Sequence, residues 1–365
     1  MDSIDKEKIK LESSSSEDHL LRNSENLLEV RNLKTYFYTE AGIVRAVEGV
    51  SFEIKKNEIL GLVGESGCGK SVTALSLLNL VRFPGLISEG EVIFNDKDLL
   101  QMPDEDIRQI RGNKISMIFQ DPMSTLNPLF TVSEQIGEVI QLHRNVTKND
   151  SIAEAIDIMN HVGIPRAKDR VDDYPHHFSG GMRQRIMIGR AISNKPSLLI
   201  ADEPTTALDV TIQAQILDII KVLKEEEQMS VLLITHNLGI VAETCHRVMV
   251  MYGGFIVEQA EVKNIFINPV HPYTIALMSA IPRLDVKIDR LETLPGNVPD
   301  LINPPTGCRF HPRCKFAKQH CTEEEPHLVE FEPEHYVSCF EYKEVMNSPE
   351  REKLKKNFDA SMKGF

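Results

Sequence analysis

A chain of 365 residues is long for one compact core, so a large domain with an extension, or two domains, is expected. Its residues are 41% hydrophobic and 26% charged, as in a soluble globular protein, and no apolar run reaches the roughly 18 residues a membrane-crossing helix needs. A formal net charge of −13 weighs against nucleic-acid binding.

The first 26 residues are polar and Ser-rich, lack the apolar core of a signal peptide, and read as a disordered arm. The chain is therefore expected in the cytosol, where thiols stay reduced and clustered cysteines more often bind metal than pair. LLEVRNLKTYFY and RAVEGVSFEIKKNE alternate polar with β-branched and apolar residues, as half-buried strands do. ILGLV, SLLIA and SVLLIT are short apolar runs of the buried-strand kind. Between the first two lie TVSEQIGEVIQLH and SIAEAIDIMNHVGI, with helical periodicity. This alternation predicts an α/β fold, a largely parallel sheet flanked by helices with a helical insertion near residues 120–190. RVMVMYGGFIVEQA predicts a hairpin turning at Gly253 and Gly254. From about Asn268 prolines recur (Pro269, Pro272, Pro282, Pro295) and periodicity fades. The expected boundaries are therefore a main domain over 27–267, an extension over 268–345 and a polar tail over 346–365.

GESGCGKS, from Gly64 to Ser71, matches G-x-x-x-x-G-K-[ST] after a buried strand and before a helical pattern, the setting a phosphate-binding loop requires. Gly64, Glu65, Ser66, Gly67, Cys68, Gly69, Lys70, Ser71 and Val72 form the candidate nucleotide cradle. Its glycines turn backbone N–H groups toward phosphate oxygens, Lys70 reaches the β/γ-phosphates and the Ser71 hydroxyl ligates Mg²⁺. SLLIADEP delivers Asp202 to the Mg²⁺ shell and Glu203 to an attacking water.

The segment FSGGMRQRIMIGRAISNKPSLLIADEPTTALD lies just upstream of and across that strand, and with it the chain resembles the ATP-binding subunits of ABC transporters over residues 27–260. The resemblance implies a phosphate-loop ATPase core: a mixed sheet flanked by helices, with an antiparallel β subdomain and a helical insertion. It also implies that two such subunits sandwich two ATP molecules. Ser179, Gly180 and Gly181 would face the γ-phosphate held by the partner, and Asp209 would lie in the short loop at the dimer interface. Met182 stands where the family usually has Gln. Gln120 matches the loop glutamine that senses Mg²⁺ and water, and His236 matches the switch histidine beside the γ-phosphate. Phe37 has the spacing of the adenine platform, with Tyr36 and Tyr38 as competitors. Glu203, His236, Gln120 and Lys70 are thus the implied catalytic set, with ATP and Mg²⁺ as ligands.

QDPMSTLNP, YPHHFSGGMRQR and HPYTIALMSAIP narrow the resemblance to the ATPases of oligopeptide and dipeptide importers. That implies a homologous ATPase partner in a heterodimer, two transmembrane permeases, an extracytoplasmic peptide-binding protein and a place on the cytoplasmic face of the plasma membrane. Import of nickel or another small solute is the alternative. A non-transport ABC ATPase acting on DNA would need a basic surface or a coiled-coil insertion, and the sequence has neither.

The chain has only six cysteines, and four of them, Cys308, Cys314, Cys321 and Cys339, fall in this extension with five, six and seventeen residues between them. Four thiolates suggest zinc or an iron–sulfur cluster, and the missing C-x₂₋₄-C pairs disfavour a zinc ribbon. In the resembling family these positions bind a [4Fe–4S] cluster. His311, His320, His327 and His335 keep a mixed Cys/His Zn²⁺ site open. A metal crosslink would stabilise a Pro-rich segment with little core of its own. Cys68 and Cys245 have no partner motif, and Cys68 reads as a tolerated small residue at a variable loop position.

Overall fold

The computed structural model describes residues 25–121, 125–206, 208–280, 294 and 296–362. Nearly all of the predicted N-terminal arm, Ala207 of the interface loop, part of QDPMSTLNP and the end of HPYTIALMSAIP lie outside the described residues.

Two sheets carry the fold. β1 (Asn26–Thr39), β2 (Gly42–Lys55), β4 (Gly85–Phe94) and β5 (Lys97–Asp98) form an antiparallel sheet in the order β2-β1-β4-β5. Among the described residues the second sheet has eight strands, in the order β11-β12-β10-β9-β3-β8-β7-β6. Its centre is parallel: β3 (Ile59–Val63), β6 (Ile115–Ile118), β7 (Leu198–Asp202), β8 (Ser230–Thr235) and β9 (Arg247–Tyr252). The three apolar runs of the sequence are β3, β7 and β8, and each is buried along its whole length. Strands covered on both faces have no solvent side to alternate with, hence their unbroken apolar character.

The predicted hairpin pairs β9 with β10 (Phe255–Glu261) and places both turn glycines at positive φ. Helix α1 (Lys70–Leu77) follows β3 directly, and α2 (Val132–His143), α3 (Lys148–His161) and α4 (Gly180–Ile192) form the helical insertion. A capping box between Thr131 and Glu134 starts α2, and Thr147 caps α3, so both insertion helices begin where their first orphan N–H groups find side-chain acceptors. Further on, α5 (Val210–Glu227) and α6 (Leu238–Thr244) cover the sheet, and α7 (Val262–Ile267) and α8 (Pro272–Ser279) lead into the extension.

The extension does not stand apart from the core. β12 (His335–Val337) pairs with β10 through Glu258↔Val337 and Gln259↔Tyr336, and β11 (Val329–Glu332) adds the outermost strand. Tyr273, Met278 and Phe310 share one buried cluster with Val63, Val248 and Val250. A segment weak in periodicity is buried by joining a sheet that already exists, which is why its own pattern did not announce a core. A buried polar knot seals the junction: Glu258, fully buried, accepts the Val270 and His271 backbone N–H groups at 2.8 and 2.9 Å and meets His335 Nε2 at 2.9 Å.

Candidate functional site

The parallel strands end on one side of the sheet, and the loops leaving β3, β6, β7 and β8 converge there. The Gly64–Gly69 loop turns through Gly64 (φ 159°) and Gly69 (φ 109°). A Cβ on Gly64 would come within 2.2 Å of the Met251 carbonyl oxygen, and one on Gly69 within 2.3 Å of the Ala46 oxygen, so backbone contact on both sides demands glycine. Cys68, within the loop, is fully buried, and burial pushes its thiol up from the ordinary range. Lys70 Nζ donates to the Gly64 and Glu65 carbonyls at 2.9 and 3.1 Å, curled back over the loop it follows.

Asp202 ends β7 with only 4% of its surface exposed. Burial raises its carboxyl pKa, and the Ser71 hydroxyl, hydrogen-bonded to it, pulls the other way. Its Oδ1 is buried without a hydrogen-bond partner. A carboxylate beside a hydroxyl, with one buried oxygen unsatisfied, is a donor set suited to a hard divalent cation such as Mg²⁺.

Glu203, one residue on, adopts φ 47°, unusual for a residue with a side chain, and its N–H donates to the Ile234 carbonyl. Its carboxylate is a meeting point. Gln120 Nε2 donates to it at 3.2 Å, the Thr206 hydroxyl donates at 2.8 Å, His236 Nδ1 lies at 3.3 Å and Lys70 Nζ at 4.0 Å. Lys70, Gln120, Glu203 and His236, scattered over 167 positions of sequence, thus gather on one carboxylate. Thr206 is the member that sequence reasoning missed; the second Thr of a Pro-Thr-Thr run carries no signal of its own. His236 is open, with 61% of its side chain exposed.

Other predicted residues lie away from this centre. Ser179 caps α4 by accepting the Met182 N–H at 3.4 Å, and Ser179 and Gly180 face solvent. Gly181 packs closely on Ile212, which a Cβ would approach to 2.9 Å. The Met182 sulfur sits 3.7 Å from the Arg170 guanidinium. Asp209 is exposed at the start of α5, beside Val210, 82% exposed. Phe37 is half-buried against Gly85, whereas the Tyr36 hydroxyl donates to Glu48 at 2.5 Å and Tyr38 is 48% exposed.

In the extension, Cys308, Cys314, Cys321 and Cys339 line one cavity, closed by Phe310, Phe316 and Phe340. None of the four is in a disulfide. Burial raises the Cys308 and Cys339 thiols, and it pushes Cys314 up to about 11. Four convergent thiols in an apolar cavity fit a thiophilic metal or cluster. The histidines divide. His335 is taken by Glu258, and His311 Nδ1 lies 3.0 Å from the Cys308 carbonyl. His320, Cys321 and Glu341 hold ligand atoms within 4.8 Å of one another.

Comparison with known proteins agrees with this architecture. Residues 47–206 match the family described as "ABC transporter", and residues 257–321 match "Oligopeptide/dipeptide transporter, C-terminal region". A probable peptide ABC transporter ATP-binding protein of Sinorhizobium fredii is 51% identical, over 88% of this chain and 96% of that protein. An oligopeptide transport ATP-binding protein of Bacillus subtilis, AppD, is 50% identical, over 87% of this chain and 97% of that one. Among solved structures, a dimeric ATP-binding cassette in a post-hydrolysis state bound to ADP and Pi superposes with a TM-score of 0.58 at 25% identity, over 64% of this chain and 98% of that one.

Fold and strand-end site together define a phosphate-loop ATPase of the ABC type. More narrowly, the chain belongs to the ATP-binding proteins of ABC transporters that carry the oligopeptide/dipeptide C-terminal region. Proteins of this class hydrolyse ATP, and so does this one.

Proposed function

We propose that this chain couples ATP hydrolysis to uptake of oligopeptides or dipeptides through two membrane permeases, working from the cytoplasmic face with a homologous ATPase as its dimer partner. A peptide-binding protein outside the membrane delivers the cargo. Two lines of support carry the substrate class: relatives at about half identity over nearly their whole length are peptide transport ATP-binding proteins, and the C-terminal match is of the same kind. Among the described residues no helix is long and apolar enough to cross a membrane, in keeping with a subunit that borrows its membrane attachment.

The single observation that carries the chemistry is the convergence of Gln120, His236 and Lys70 on Glu203, beside the orphaned Asp202 oxygen. In this reading the loop N–H groups and Lys70 hold the ATP phosphates, and Lys70 leaves the Gly64 and Glu65 carbonyls to do so. Ser71, Asp202 and Gln120 would hold Mg²⁺, which would neutralise phosphate charge. Glu203 polarises the attacking water and receives its proton, while Gln120 and His236 fix the carboxylate's orientation. Phe37 stacks on adenine. Ser179, Gly180 and Gly181 present a capped helix N-terminus to the γ-phosphate on the partner subunit, and Asp209 lies at the same interface. The exposure of Ser179, Gly180 and Asp209 in a single chain is what an interface in trans requires.

Cys308, Cys314, Cys321 and Cys339 hold a [4Fe–4S] cluster in this reading, and its contribution is a crosslink of the extension. Zn²⁺ on a mixed set is the second reading, favoured by the His320–Cys321–Glu341 grouping. Anaerobic purification distinguishes them: iron with acid-labile sulfide supports the cluster, and one zinc per colourless chain overturns it.

For the catalytic assignment, Glu203→Gln in the purified transporter should lower ATP turnover by roughly 10²–10⁴-fold with MgATP binding retained. Turnover near wild type would overturn the role of Glu203.

A further inference from the structure

The phosphate loop and the cysteine cavity are joined by side chains whose positions the nucleotide chemistry does not explain. Glu65 is the second residue of the loop. Its carboxylate receives both terminal nitrogens of Arg313, at 2.7 and 3.2 Å, a bidentate pair. Arg313 directly precedes Cys314, and its side chain is only 5% exposed. The guanidinium also donates to the Tyr252 hydroxyl at 3.3 Å. The backbone N–H of Glu65 is held as well: it donates to the Tyr273 hydroxyl at 2.9 Å. Tyr273 is fully buried on α8 and packs its ring against Tyr252 and Phe310, with centroids 4.6 and 5.5 Å away.

A second arm reaches the other half of the loop. Arg309 directly follows Cys308, donates to the Gly253 carbonyl and pairs with Glu48 at 3.2 Å. Its target lies in the β9–β10 hairpin, where the Gly254 N–H donates to the Cys68 carbonyl at 2.9 Å. The arginines beside Cys308 and Cys314 therefore brace the loop at both of its ends.

We infer that the cysteine-bearing extension positions the phosphate loop, with Arg313 and Tyr273 as positioning residues acting through Glu65, so that nucleotide affinity depends on the order of the cysteine site. A glycine-rich loop has many backbone states, and binding a nucleotide costs the entropy of selecting one. Two anchors on Glu65 remove that cost beforehand. When the cysteines are held together, the turn carrying Arg313 is fixed and the loop is preformed. When they are not, the guanidinium loses its fixed origin and the loop relaxes. A lysine in place of Arg313 cannot reproduce the two-pronged contact. This inference rests on the nucleotide-binding reading of the loop.

The test is MgADP affinity of the purified full-length chain, together with hydrogen exchange over residues 64–71. Arg313→Gln should weaken MgADP about 5–20-fold, within the usual span of coupling between sites, and speed exchange in the loop. Arg313→Lys should be intermediate, and Tyr273→Phe should cost less, because it removes only the acceptor. Glu65→Gln combined with Arg313→Gln should bind no worse than the weaker single variant. Cys314→Ser should weaken MgADP while Arg313 is present and have no further effect once Arg313 is Gln. Such non-additivity is what general destabilisation cannot produce. Folded variants that bind MgADP like wild type, or penalties that simply add, would overturn the inference while leaving nucleotide binding intact. A wild-type chain that does not bind MgADP would overturn the parent reading and this one with it.

Discussion

In the nucleotide site Gln120, Asp202, Glu203 and His236 sit at or just past the C-terminal ends of β6, β7 and β8, and Lys70 opens α1 after the loop that leaves β3. The cysteine site has no such scaffold. Its four thiols come from irregular turns, a short helix and the segment after β12, and they converge because the extension folds back on the β9–β10 hairpin. One site inherits its geometry from the hydrogen-bonded sheet, where strand ends align without help. The other acquires geometry from whatever ties its loops together. Damage should therefore be local chemistry in the first and loss of structure in the second.

The sharpest way to break this contrast is Lys70→Ala. Removing a charge-assisted phosphate contact should lower ATP turnover by at least about 10²-fold while the melting temperature stays within a few degrees, read by turnover and calorimetry on one preparation. A collapse in stability would show that the strand-end site is not self-supporting.

Cys321→Ser attacks the other side. If the four cysteines hold metal as proposed, it should lower bound metal below stoichiometry and reduce the melting temperature by roughly 5–10 °C, because the crosslink would then be part of the folding free energy of a segment with little core of its own. The same site should bind metal more tightly as pH rises from 6 to 8. Burial raises the Cys308, Cys314 and Cys339 thiols, so metal entry must displace their protons. A pH-independent metal affinity would contradict that account.

His271, at the junction of core and extension, gives a smaller effect. It is 1% exposed, burial lowers its pKa to about 3, and its Nδ1 accepts the Tyr273 N–H. A group held neutral below its ordinary pKa stabilises the fold above about pH 6.5, and that stability drains away as pH falls toward 3. Denaturant unfolding at pH 7 and pH 4.5 should therefore show a loss of about 2 kcal/mol in wild type that is absent in His271→Asn. Glu258, which receives the His271 backbone N–H, stays in place in both.

Least of all should change with Met182→Gln. The methionine sulfur faces Arg170 and the side chain packs on the insertion core, away from the Glu203 cluster. Turnover is expected within about twofold of wild type, close to the usual range of a mild substitution.

The strands β3, β7 and β8, the hairpin, the insertion helices, Lys70, Asp202 and Glu203 were legible in the chain, because each is announced by a local pattern: an apolar run, a Gly-Gly turn, helical periodicity, a glycine loop ending in Lys-Ser. Gln120 and His236 carry no such pattern and were named only through the family resemblance. β4 and β6 were not, since β4 starts at Gly85 and is interrupted by Gly90, and β6 is only four residues long. The four cysteines were visible as a group, but nothing in their spacing showed that β12 completes the main sheet. Tyr273 and Arg313 looked like parts of the extension alone. Their contact with Glu65 spans 208 and 248 positions of chain. Contacts that distant follow from how the sheet edge and the extension pack, and residue order does not encode them. What the sequence determined by itself was the set of chemical groups at the strand ends, because backbone geometry places them directly. Only the tertiary structure decided that the cysteine extension would hold the phosphate loop, because that requires two separately folded turns to meet.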